Sequence, residues 1–439
     1  MIDYSYKYIN MPVIGMQNTL ATMQHYIGMQ CEYGNKEKVE EFLAELRKTV
    51  EDAKERLINM PPEPELRACE PDDYETIVSL SKGGNKAASE IKDLSKRMAG
   101  AVIGRFAGCI LGVPVEGWDM NKLKECAEKW GMEFPPVDYW TDVENPSIVH
   151  YGRDTRDHYK KGSINGVAVD DDITYTLIGL IILEKYGFDF TTADVGEVWK
   201  SQLTAACTAE RAALDNLNAG IPADHAAEKN NPFVQWIGAD IRSDPFAYAA
   251  AGDPHLAAHL GYKDAYLSHR RNGIYGEMYF AAAEAAAFTV DDPMEALKIA
   301  MNEIPENCRL HKDLEWAFET CPKLKSYEDA VDEVNKRFFG MDHVHTNNNA
   351  CLTVFGIYLG KGDFTKSIGI TVAMGYDNDC TAATVGSIVG AAVGIDKIDK
   401  HWYECFNNSV RSYMKDYPDF KLDDVIARFE KLAKSRLDK

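Results

Sequence analysis

No CxxC pair occurs among the ten cysteines, which are scattered from Cys31 to Cys405. That spacing excludes a dithiol redox motif and a zinc ribbon. With no secretory leader pattern at Met1-Ile2-Asp3-Tyr4, a reducing, cytoplasmic setting is the expectation. Positive charge is scarce: 48 lysines and arginines stand against 69 acidic residues, a formal charge of -21. A surface of that sign repels phosphate backbones and anionic bilayers, so neither nucleic acid nor membrane is expected as a partner. Long apolar runs are missing too. Residues 98–115 are interrupted by Arg105, and residues 382–395 are too few to cross roughly 30 Å of hydrocarbon. Alternating strand patterns are nearly absent, and no internal repeat or low-complexity tract appears.

The 439 residues include 45% hydrophobic and 27% charged side chains, an ordinary globular balance with ample material for a core. From Asn35 to Met60 the apolar positions Val39, Phe42, Leu43, Leu46, Val50, Ala53, Leu57 and Ile58 recur at helical spacing. Asn35 is placed to cap that helix, and Pro61, Pro62 and Pro64 stop it. A polar stretch and Gly83-Gly84-Asn85 follow, so the reading places a boundary near residue 95, with an accessory helical segment (1–95) before it. Residues 96–439 read as one all-α domain, with helical patterns at 173–186, 279–288, 292–304, 349–359 and 424–432.

Glycine recurs every fourth residue at Gly104, Gly108 and Gly112, and again at Gly386, Gly390 and Gly394. Each costs a helix roughly 1 kcal/mol against alanine, so close helix packing has to offset them. Helices packed in this way hold the residues at their ends rigidly.

The residues with chemistry stand at such ends. Asp170-Asp171-Asp172 precede the apolar helix beginning Ile173-Thr174-Tyr175. One aspartate satisfies a cap; three adjacent carboxylates repel and are relieved by solvent, protons or a cation. Asp377-Asn378-Asp379-Cys380 open a second small-residue helix in the same way. Hard oxygen donors point to magnesium, manganese or calcium rather than zinc. An EF-hand is excluded, since loops starting at Asp377 or Asp170 put Ile388 or Ile181 where the bidentate glutamate belongs. Terpene synthases and prenyltransferases, similar in being all-α with aspartate clusters, need a DDxxD motif that Asp170-Asp171 followed by Thr174 does not supply. Glu116 lies just beyond Pro114, which ends the first glycine-striped helix. His343 and His345 find no further ligand at zinc spacing.

These segments, in this order, resemble the ADP-ribosylglycohydrolase family: Gly104 to Cys109 through Glu116, Asp170 to Thr176, and Asp377 to Cys380. The resemblance extends to Ile237-Gly238-Ala239-Asp240-Ile241-Arg242, to Asp264 through His269 with Asn272-Gly273, and to His345 through Asn349. It implies a compact, orthogonal multi-helix fold and a two-magnesium site, manganese being the alternative ion, that cleaves the bond from C1 of a ribose to its acceptor. Carried over, Asp171, Asp172, Asp377 and Asp379 match the metal ligands, with Asp172 also in the catalytic set, and Glu116 matches the catalytic glutamate. Asp170 and Cys380 stand where many members have ligand threonines, a pattern that looks like a bacterial subgroup. Gly238, Asp240 and Arg242 would face a diphosphate, and Ser268, His269 and Asn272 would contact the ligand. The implied partner is an ADP-ribosylated protein or an ADP-ribosyl compound. A smaller N-riboside is an alternative substrate, and a non-catalytic ADP-ribose binder or a protein like the jellyfish lens crystallins, which resemble the family, is an alternative class.

Overall fold

A computed structural model of the chain describes residues 10–84, 88 and 90–438; Met1 to Tyr4 and Asn85 lie outside them. The chain divides into two units, Met1–Ala68 with Asn335–Met341, and Cys69–Val334 with Asp342–Lys439.

The first unit contains a helical hairpin. Helix α1 (Asn10–Glu32) and helix α2 (Lys36–Ile58) join through Gly34, whose φ of +80° lets the chain reverse. Asn35 occupies the cap position of α2, but its amide donates to Gln30 Oε1 at 2.8 Å instead of capping. Pro61 and Pro62 follow the end of α2, and Pro64 starts a short helix, Pro64–Cys69, at the first position, where no N–H is needed.

In the larger unit the segment after Cys69 is anchored by charge. Glu70 is buried, ion-paired with Arg271, and accepts from the Arg309 N–H at 2.9 Å, while Asp72 accepts from the Arg271 N–H at 2.7 Å. The framework beyond it comprises α3 (Leu94–Gly112), α4 (Asp171–Tyr186), α5 (Asn272–Ala287), α6 (Thr346–Gly360) and α7 (Asn378–Val393). Among the described residues, strand is confined to two hairpins of two-residue strands, Val149–His150 with Asp154–Thr155 and Val410–Arg411 with Asp419–Phe420. The architecture is all-α, as expected. The expected helix at 292–304 is split into Pro293–Ala300, capped by Asp292, and a tighter turn, Met301–Glu303.

The glycine stripes face each other. α3 and α7 run antiparallel with their backbones in contact, so a Cβ on Gly104 would lie 2.1 Å from Gly386 O and one on Gly108 would lie 2.1 Å from Ala382 O. At the far end a Cβ on Gly112 would lie 2.2 Å from Asp379 Cα, which fixes the head of α7 against the tail of α3. The stretch Leu94–Val115 is long and apolar enough to cross a membrane, yet here it is almost wholly buried inside the protein.

Candidate active site

Three helix ends meet here. Asp170 caps α4, its Oδ1 accepting from the Asp172 N–H at 3.1 Å, and Asp377 stands at the start of α7. The loop after α3 is tied to the loop before α7: Gly117 N–H donates to Tyr376 O at 3.0 Å, and Asn378 Nδ2 donates to Val115 O at 3.3 Å. Gly375 adopts φ +75°, and a Cβ there would sit 2.5 Å from Trp118 O. Backbone packing therefore brings Glu116 beside the aspartates.

The ligand atoms gather in three sets, each within 4.8 Å: Cys109, Asp170 and Asp172; Asp172, Asp379 and Cys380; and Glu116, Asp377 and Asp379. Asp172 and Asp379 each belong to two sets, so the sets join into one centre. Asp170, Asp172, Asp377 and Asp379 are buried, Asp171 is half-buried and stands outside the three sets, and Glu116 is exposed at the rim. Cys380 lies inside, its Sγ 3.1 Å from Asp172 Oδ2.

Electrostatics marks the centre as short of positive charge. Burial, with Asp171 beside it, pushes the Asp170 carboxyl well above its ordinary value; burial, then Glu116 and Asp377, does the same to Asp379. Loss of water around its carboxylate, then the charges of Asp377, Asp171 and Asp170, raise Glu116 likewise, although the residue as a whole is exposed. Asp377 Oδ1 and Asp379 Oδ1 are buried without a hydrogen-bond donor. Orphaned carboxylate oxygens in such a cluster suit an oxygen-seeking divalent cation.

Arg105, His150 and Cys109 complete the surroundings and were not singled out from sequence. The Arg105 guanidinium is wholly buried, with Nη2 2.6 Å from Asp172 Oδ1 and 2.8 Å from Ile241 O, and Nε 3.2 Å from Asp244. His150, at the end of a two-residue strand, lies 2.9 Å from Asp170 Oδ2, and Cys109 Sγ lies 3.4 Å from Asp170 Oδ1. The one available signal was Arg105 itself: an arginine inside an apolar, glycine-striped helix requires a buried acid.

The residues expected to face substrate form an internal frame. Arg242 is buried, ion-paired with Glu210 at 2.5 Å and with Asp264, and donates to Gly238 O at 2.9 Å and Ser268 Oγ at 3.1 Å. Its donors are thus committed within the protein. Ser268 Oγ contacts His269 Nδ1 at 2.8 Å; both are buried, and burial holds the imidazole well below its ordinary value, hence neutral. Asn272 donates to Gln235 Oε1 and accepts from the Leu310 N–H, at 2.8 and 2.9 Å. Asp240 is buried with one oxygen unpartnered, and a Cβ on Gly238 would meet the Glu210 carboxylate at 2.3 Å. His345 caps α6, accepting from the Asn347 N–H at 3.1 Å, and His343 pairs with Asp342 at 3.2 Å.

Comparison with known proteins agrees with this geometry. A solved structure described as an ADP-ribosylglycohydrolase-related protein complex superposes with a TM-score of 0.52 at 19% identity, covering 78% of this chain and 99% of its own, a likeness of fold. No curated protein matches the chain. The sequence profile of the ADP-ribosylglycohydrolase family matches residues 90–434, more than three quarters of the chain and all of the centre just described. The chain therefore belongs to the ADP-ribosylglycohydrolase family.

Proposed function

We propose that the protein hydrolyses the glycosidic bond at C1 of a ribose in an ADP-ribosyl compound, free or attached to a protein, and that residues 96–439 carry the activity. The observation that supports this reading is the joined carboxylate centre with two orphaned buried oxygens, in a chain of a glycohydrolase family. Asp170, Asp171, Asp172, Asp377 and Asp379 would hold two divalent ions, magnesium before manganese, with Cys380 beside Asp172 where an oxygen ligand is the commoner choice. Bound divalent metal supplies positive charge that binds hydroxyls and lowers the pKa of water.

Glu116 stands at the exposed rim with its carboxyl oxygen near Asp377 and Asp379, where a water and a ribose C1 can both reach it. A carboxylate placed beside a metal-held water can serve as its general base. Glu116 takes a proton from water as its oxygen bonds to C1, the bond from C1 to the acceptor breaks, and the proton then passes to the leaving group. Arg242, bonded to Gly238 O and to Ser268, braces the 237–242 turn, and Asn272 ties Gln235 just before it to Leu310.

Calorimetric titration of ADP-ribose into magnesium-loaded protein, with EDTA-treated protein as control, tests the reading. Binding that needs the metal is the expected result. Absence of binding in both states sinks the ADP-ribosyl assignment and moves the search to smaller ribosides.

A further inference from the structure

The hairpin of α1 and α2 leaves a seam uncovered. On α2 the apolar residues Val39, Leu43, Leu46, Val50, Ala53 and Leu57 follow strict four-three spacing, the a and d positions of a heptad. Only Val39 is buried; Leu43, Val50 and Leu57 are 37%, 51% and 67% exposed. α1 meets α2 near the turn, where a groove of about 490 Å³ is lined by Met23, Tyr26, Ile27, Val39 and Phe42. Beyond that groove α1 exposes Met16 and Leu20, part of its own stripe at the same spacing with Met23 and Ile27. A stripe exposed at Leu43, Val50, Ala53 and Leu57 and half-exposed at Leu46, along a helix of 23 residues, marks a contact surface.

The partner that fits is a second copy of this chain, and we propose that α2 pairs antiparallel with the partner's α2. Turned end for end about Lys48, the exposed part of the stripe matches itself: Leu43 lies opposite the partner's Ala53 and Val50 opposite the partner's Leu46, while Val39 stays buried within its own hairpin. Small against large and β-branched against γ-branched fill the layers as interdigitating side chains require. The flanking charges fit the same register. Positions of one class, Glu40, Arg47 and Lys54, face their own class across an antiparallel seam, which sets Glu40 against the partner's Lys54 at both ends. A parallel pairing would instead set Phe42 by the partner's Arg47 and Thr49 by the partner's Lys54, with no opposite charges in contact. α2 has six basic and seven acidic residues, so two copies meet nearly neutral although the whole chain carries -21.

Sedimentation velocity of the full chain over a concentration series tests the proposal, with far-UV circular dichroism to verify helix content. A concentration-dependent dimer is expected, abolished in Val50→Asp, where the residue is exposed in the single chain and its loss does not disturb the fold. Glu40→Lys turns two attractions into two repulsions and raises the dimer Kd by about tenfold; Glu40→Lys combined with Lys54→Glu restores it. A monomer at every concentration, or a dimer untouched by Val50→Asp, overturns the interface. A double exchange no better than Glu40→Lys alone overturns the antiparallel register.

Discussion

Asp172 has both carboxylate oxygens engaged inside the protein, one by Arg105 and one by the Cys380 thiol. Arg105 in turn stands against Asp244, with Glu284 also acting on its charge. Replacing it by a residue of similar length without charge strands several buried carboxylates. Arg105→Met is therefore expected to lower unfolding free energy by about 3–5 kcal/mol, read by urea denaturation. Glu116 is the opposite case, an exposed group whose removal leaves the packing intact. Glu116→Gln is expected to keep metal-dependent ADP-ribose binding while kcat falls by about 10²–10⁴. An unchanged kcat in steady-state assays would assign the base to another residue.

At the scale of elements, the glycine stripes separate positions that tolerate a methyl group from positions that do not. Gly108→Ala places a Cβ 2.1 Å from Ala382 O and 2.8 Å from Ala383 N, where only backbone could give way. A loss of about 1–3 kcal/mol or more is expected, visible as a lower thermal midpoint. Gly28→Ala in α1 meets nothing within 4 Å and is expected to be neutral or to stabilise slightly in the same measurement. The stripes, the aspartate caps and most core helices were legible in the sequence because each is set by local spacing. α1 was not, since it carries hardly a charge and has Gly15 and Gly28 within its span, blurring its polar face. Arg105 and His150 were missed for another reason: their partners Asp172 and Asp170 lie 67 and 20 residues away, and only folding reveals who neutralises whom. Arg242 was legible as important, but a sequence does not say that Glu210, Asp264 and Glu277 stand against its charge.

At the scale of the whole molecule, stability is linked to what binds and to pH. An ion held by the folded centre and not by the unfolded chain adds about 2.7 kcal/mol at a hundredfold excess over its Kd. EDTA is therefore expected to lower the thermal midpoint and magnesium to restore it, followed by scanning calorimetry. The pH dependence has one readable contribution remote from the centre. The hydrogen bond that the His255 imidazole donates to the Glu303 carboxylate raises the imidazole, burial opposes this, and Asp253 adds to the rise. A base raised on folding stabilises fully below its ordinary value near 6.5 and loses that contribution as pH climbs through the raised value. His255→Gln is thus expected to narrow the difference in thermal midpoint between pH 6 and pH 8 by removing stability on the acid side. The contact of α3 with α7 also bears on how this protein can change over time. A cavity between side chains is refilled by a neighbour of complementary volume, but peptide groups touching peptide groups have no such complement. The span from Glu116 to Asp377 is therefore a fixed gauge, and descendants of this chain can alter what enters the site more readily by rebuilding its rim, where Glu116 and the hairpin that carries His150 stand.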